Sequence, residues 1–212
     1  MNDIDLDMSR KARIGMAEII YGEHKSPAQL KEIARRHRDA GVDMLITRCT
    51  AEQVEGLEGG YDAVARTFVT RAAVSEPRDG PVAVVYAGTS DAPVAREAQV
   101  TLGFLGCHVE EFGDCGVAGL HRLTARLDAI SRSRVVICCA GFEGALASVL
   151  GGLLPQPIIA VPTSVGYGVS KDGKAALNAM LASCASGVMV MNVDNGCGAA
   201  MAARRILNLL AP

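Results

Sequence analysis

Four side chains able to do chemistry stand out because each is set among small residues: a thiol, two carboxylates and an imidazole. They are Cys184 in Ser183-Cys184-Ala185-Ser186-Gly187, Glu143 in Ala140-Gly141-Phe142-Glu143-Gly144, Asp91 in Gly88-Thr89-Ser90-Asp91, and His121 in Gly119-Leu120-His121-Arg122. Each carries a plain reading beside the chemical one. Cys184 is either packing or a nucleophile, since free cysteine is often buried and inert. Gly88-Thr89-Ser90-Asp91 offers backbone N–H groups and two hydroxyls to an anion, but Ser and Asp there also serve as ordinary helix caps. Asp91 is in addition a candidate for proton transfer. His121 beside Arg122 is a solvated pair, or a general acid/base next to a phosphate-binding guanidinium. Glu143 either complements a helix dipole or stands as a carboxylate in a cleft.

The elements that must hold these groups follow from the apolar pattern. Strands are read at 82–87, 107–112, 134–138, 157–161 and 188–193, with helices at 92–105, 118–131, 143–153, 173–183 and 196–210 between and after them. The strands are continuous apolar runs, as expected for a parallel sheet covered on both faces. The reading is an α/β fold, a three-layer doubly wound parallel sheet. Its loops should converge on one crevice at the carboxyl ends of the strands, and Cys184 is expected at that mouth, facing Asp91 and Glu143. Ahead of the sheet, a strand at 16–20, a helix from Ser26-Pro27 to Asp39 ending at Gly41, and a strand at 42–46 form a small βαβ-like unit. The polar connector Glu76-Pro77-Arg78-Asp79-Gly80 separates the two, giving an N-terminal unit of residues 1–76 and a core of 77–212.

Composition excludes several classes. The 21 basic and 23 acidic residues leave no electrostatic footprint for nucleic acid or an anionic membrane. No apolar run approaches the ~20 residues that span a bilayer. Seven cysteines, an odd number with no CxxC pair and no metal-ligand spacing, point to a reduced, cytoplasmic setting without a structural metal. Asn2, Asp3 and Asp5 after Met1 argue against a signal peptide. Cys138-Cys139, within an apolar strand, reads as core.

The order YGEHKS, GTSDAPVA, GVAGLHRL, AGFEGALASV, AVPTSVGYG, SCASG and VDNGCGAA, from about residue 14 to the C-terminus, resembles a known family. The core is similar to class I aminoimidazole ribonucleotide carboxylase/mutase of purine synthesis. The resemblance is closer to pyridinium-3,5-biscarboxylic acid mononucleotide synthase, the carboxylase/hydrolase of nickel-pincer nucleotide biosynthesis. Ala145 stands where the purine enzymes carry a second histidine, and the Cys184 motif and the YGEHK unit belong to the pincer family. Departures are a short segment before Ile14, Ala147 in place of a common proline, Cys197 in place of a common aromatic, and Ser170-Lys171-Asp172.

The resemblance implies carboxylation of nicotinic acid adenine dinucleotide at pyridine C5 with CO2 as co-substrate, and hydrolysis of the phosphoanhydride. It implies Cys184 as covalent nucleophile and Glu143 and Asp91 as proton-transfer groups. His121, Arg122, Gly88, Thr89 and Ser90 would hold phosphate or CO2, with Gly141, Ser186 and Asp194 lining the substrate. Lys25 and Arg48 of the N-terminal unit would reach phosphates or the nicotinate carboxylate. No tightly bound cofactor is implied, Mg2+ is left open, and a homo-octamer is expected. The other readings are a purine-type carboxylase and a non-catalytic dinucleotide-binding module.

Overall fold

The computed structural model describes residues 4–70 and 79–210. The chain divides into two compact units, Met1–Val74 and Ser75–Pro212. The expected boundary at 76/77 lies outside the described residues.

In the first unit, a short helix α1 (Arg10–Ile14) precedes strand β1 (Ile19–Tyr21), helix α2 (Pro27–Asp39), strand β2 (Leu45–Thr47), and strands β3 (Gly60–Asp62) and β4 (Thr67–Val69). Helix α2 starts where the sequence dictates. Ser26 Oγ accepts from Gln29 N–H, Gln29 Oε1 accepts from Ser26 N–H, and Pro27 sits in the first turn. Leu30 and Ile33 of α2 pack with Ile20, Met44, Ile46 and Phe68 in one core. The parallel β1–β2 pair confirms a βαβ crossover, but the unit is larger than the pattern suggested. A hairpin of β3 and β4 adds antiparallel strands, giving a mixed sheet of order β1-β2-β4-β3.

The second unit contains β5 (Asp79–Tyr86), α3 (Ala92–Phe104), β6 (Cys107–Phe112), α4 (Leu120–Thr124), α5 (Leu127–Ile130), β7 (Val135–Ala140), α6 (Ala145–Leu153), β8 (Ile158–Pro162), α7 (Lys174–Leu181), β9 (Met189–Val190) and α8 (Gly196–Leu210). Its five strands are parallel in the order β6-β5-β7-β8-β9, the flavodoxin-like order expected. Strands β7 and β8 are buried along their whole length. On one face, Val82, Val84, Ile137 and Ile159 meet Ala95 and Leu102 of α3 and Ala199, Ala203 and Leu207 of α8. On the other, Ala83, Val85, Val136 and Ala160 meet Leu123, Ile130, Leu146, Leu150 and Met180. The small strand and helix residues let the layers approach closely.

Three boundaries differ from expectation. The helix expected over 118–131 is broken into a 3-10 turn, α4 and α5, with Ala125 and Arg126 between the two α-helices. Helix α6 begins at Ala145, because Phe142 and Gly144 both take left-handed backbone conformations, leaving Glu143 in a turn. Strand β9 has two residues rather than six.

Candidate active site

The strand order reverses direction between β5 and β7, and a doubly wound sheet opens its ligand crevice outside the carboxyl ends at such a point. Gly88-Thr89-Ser90-Asp91 leaves β5 there, and Gly141-Phe142-Glu143 leaves β7. Thr89, Ser90 and Glu143 are exposed and Asp91 is buried.

Asp91 acts as the clamp of this end. Its Oδ2 accepts from Gly88 N–H at 2.8 Å and its Oδ1 from Thr163 Oγ1 at 2.5 Å. Both carboxylate oxygens therefore hold loop geometry, a positioning role added to the proton-transfer role expected of it. Thr163 follows β8, so the bond joins the loops after β5 and β8. The loop after β7 is stitched to the same place. Phe142 N–H donates to Val165 O at 2.8 Å, and a Cβ on Gly141 would lie 2.4 Å from Val165 O and 2.7 Å from Thr163 Oγ1. Only glycine fits. Asp194, after β9, accepts from Ser164 N–H through Oδ1 at 2.8 Å.

The loop after β6 completes this end. Cys115 N–H donates to Tyr86 O at 3.0 Å. Arg122 Nη1 lies 2.5 Å from Asp114 Oδ2, while its Nε is buried without an acceptor among the described residues. The guanidinium expected to bind phosphate is thus already oriented by a carboxylate. His121 is exposed beside it. Of the six non-glycine residues with left-handed backbone, Asp114, Phe142 and Asp194 lie on these loops, and such conformations gather at sites that need fixed geometry.

Cys184 is not among these residues. It lies between α7 and β9, and the segment entering a parallel strand from a helix is at that strand's amino end. Within one copy of the chain, Cys184 and Ser186 stand at the edge of the sheet opposite Asp91 and Glu143, which corrects the expectation that the thiol faces them. The turn is fixed against the far part of α6. Ser183 Oγ is 2.7 Å from Ser148 Oγ, and a Cβ on Gly151 would meet the Ala185 side chain at 2.9 Å. Cys184 is nonetheless the one exposed thiol of seven. Burial pushes the Cys49 thiol up to about 11 and raises those of Cys115, Cys138 and Cys139.

In the first unit, Lys25 and Arg48 lie at the carboxyl ends of β1 and β2. Gln53 Nε2 donates to Gly22 O at 2.9 Å and Lys25 O at 2.6 Å, fixing the polar loop. Arg66 belongs to the same region and was not singled out from the sequence, because the hairpin that places it had no turn signature. A cleft of about 300 Å³ is lined by residues including Ile4, Glu18, Tyr21, Lys25 and Gln29. Among the described residues, no group of three His, Cys, Asp or Glu side chains could hold a metal ion, and no helix is long and apolar enough to cross a membrane.

Fold and site together define a parallel-sheet α/β protein with a PurE-like core, its loops at the carboxyl ends gathered for a ligand. Residues 81–212 match the AIR carboxylase family, and residues 1–75 match the LarB/PurE-like N-terminal domain. The chain belongs to the AIR carboxylase family, in the branch that carries this N-terminal domain. It is 34% identical to an uncharacterised protein of Methanocaldococcus jannaschii, over 98% of this chain and 85% of that one. Among solved structures it is similar to Treponema denticola PurE, at a TM-score of 0.52 and 20% identity over 62% of this chain and 82% of that one. A substituted form of the same enzyme gives a TM-score of 0.52 at 22% identity with the same coverage. At that identity the likeness speaks to fold.

Proposed function

We propose that the protein carboxylates the pyridinium ring of nicotinic acid adenine dinucleotide at C5 with CO2 and hydrolyses its phosphoanhydride, yielding pyridinium-3,5-biscarboxylic acid mononucleotide and AMP. The observation that carries this reading is the pairing of a LarB/PurE-like N-terminal domain with an AIR carboxylase core in one chain. A single exposed thiol in the SCASG turn supports it.

The chemistry assigns each group a task. Pyridinium C5 is electron-poor and does not attack CO2. Addition of the Cys184 thiolate to the adjacent ring carbon forms a C–S bond and moves an electron pair into the ring, making C5 enamine-like. C5 then bonds to CO2, a base removes the C5 proton, and the C–S electron pair leaves with sulfur as the pyridinium reforms. Glu143, exposed at the mouth of β7, is the base in this scheme; Asp91 holds the loops. Arg122 and His121, with the Gly88–Ser90 backbone and hydroxyls, bind the phosphates or CO2, and Mg2+ is left open as an aid to anhydride cleavage.

Because Cys184 and Glu143 lie at opposite ends of one sheet, this mechanism needs more than one copy. We assign the thiol to one copy and the crevice to a neighbour, in a homo-oligomer that by resemblance is an octamer. Mass spectrometry after incubation with the dinucleotide and bicarbonate tests the scheme. A dinucleotide-derived adduct on Cys184 with AMP release is expected, and its loss in Cys184→Ser. Normal turnover by Cys184→Ser would overturn the covalent mechanism.

A further inference from the structure

Two arginines of the first unit, Arg48 and Arg66, have left-handed backbones at φ 52° each, a conformation that large residues keep only where the surroundings fix it. They are 18 positions apart in sequence, but Cys49 N–H donates to Arg66 O at 2.9 Å, so the β3–β4 hairpin brings Arg66 against the residue that follows Arg48. Both stand at the end of the sheet where β1 delivers Tyr21-Gly22-Glu23-His24-Lys25. The Tyr21 hydroxyl donates to Glu23 Oε2, and the Tyr21 and His24 rings meet edge to face with centroids 6.1 Å apart. The charges of Arg48, His24 and Arg66 all act on Glu23, whose carboxyl is held below its usual range chiefly by the Tyr21 hydrogen bond.

We infer that Arg66 and Arg48 form an anion site for a diphosphate, with Glu23 as the internal carboxylate that partly neutralises it while no ligand is bound. Three permanent cations, Lys25, Arg48 and Arg66, face one permanent anion, so the cluster keeps excess positive charge for a ligand. Guanidinium forks match phosphoryl oxygens two at a time, and two forks suit two linked phosphoryl groups. The loop bearing Lys25 is prepositioned by Gln53, which lowers the ordering cost of binding. Tyr21 and Lys25 also line the neighbouring cleft of about 300 Å³, which leaves room for an organic group attached to the diphosphate. Applied to the dinucleotide, this inference rests on the proposed function; the anion site itself does not.

The test is calorimetric titration of the full-length protein with inorganic pyrophosphate, beside steady-state kinetics with nicotinic acid adenine dinucleotide. Arg66→Gly, which accepts the left-handed backbone, is expected to weaken pyrophosphate binding about tenfold, the scale of one charge-assisted contact. KM for the dinucleotide should rise by a similar factor with kcat little changed. Glu23→Gln is expected to tighten pyrophosphate binding several-fold, a change of opposite sign that a general loss of structure would not produce. No pyrophosphate binding by the wild type, or unchanged binding by Arg66→Gly, overturns the inference. If pyrophosphate binds as expected but the wild type never carboxylates the dinucleotide, the anion site stands and the carboxylase reading falls. If the wild type turns over and Arg66→Gly leaves KM unchanged, the reverse holds.

Discussion

Thr163 Oγ1 donates a 2.5 Å hydrogen bond to Asp91 Oδ1 across 72 positions of sequence, and both residues are buried. The bond joins the loops after β5 and β8 beneath the exposed Thr89 and Ser90. Thr163→Val removes the donor at nearly constant volume and leaves a buried carboxylate oxygen unsatisfied. A loss of about 1–3 kcal/mol in unfolding free energy is expected, together with reduced turnover. Thr163→Ser should retain most of both. Urea unfolding of the three proteins checks this.

Gly141→Ala probes the same place sterically. Its Cβ would stand 2.4 Å from Val165 O, so the loops after β7 and β8 must part. A cost of about 1–3 kcal/mol is expected from such overpacking, with turnover falling more than stability because Glu143 moves with the turn. Thermal unfolding and initial rates, measured side by side, separate the two effects.

The division of groups between the ends of the sheet predicts complementation. Cys184→Ala and Glu143→Gln should each be inactive alone. Mixed under conditions that exchange subunits, they should regain about a quarter of wild-type activity, because random assembly pairs an intact thiol with an intact carboxylate at that frequency. Assay of the remixed sample gives the answer; no recovery would place both groups in the same copy.

The buried thiols predict an alkaline limit to stability. Cys49 is pushed from an ordinary 9.0 up to about 11, and Cys115, Cys138 and Cys139 are also raised, in each case chiefly by burial. Above about pH 9 the unfolded chain releases these protons while the folded one retains them. The folded state then binds more protons, and stability falls as pH rises. For Cys49 the loss runs from about pH 9 to about pH 11. Urea unfolding across that range should show the decline, and Cys49→Ala should lessen it. At pH 7.5, brief alkylation followed by peptide mass mapping should mark Cys184 first, since the others are buried or half-buried.

Much of the second unit could be read from sequence, because β5, β7 and β8 are apolar runs long enough to bury on both faces and their helices begin and end at recognisable signals. The β3–β4 hairpin escaped notice because Gly60–Asp62 and Thr67–Val69 are three residues each, too short for alternation to register, and Ala63–Arg66 carries no turn dipeptide. That cost the reading Arg66. Glu143 and Asp91 were chosen as candidates from composition, and chain order placed them at the carboxyl ends. Cys184 was misplaced although the same rule applied to it: a residue after a helix and before a parallel strand enters at the strand's amino end. What could not be read was the use of Asp91 as a clamp, since its partner Thr163 is distant in sequence.

The outermost strands of the five-stranded sheet bear on how copies of this chain meet. Strand β6 carries His108, Glu110 and Glu111 along the rim, and β9 offers only Met189 and Val190. One rim is charged and the other is too brief to template a sixth strand. Chains crowded together as they emerge and fold are thereby steered away from runaway sheet extension. Association is left to helices and loops, whose shapes allow a closed assembly to stop at a fixed number of subunits.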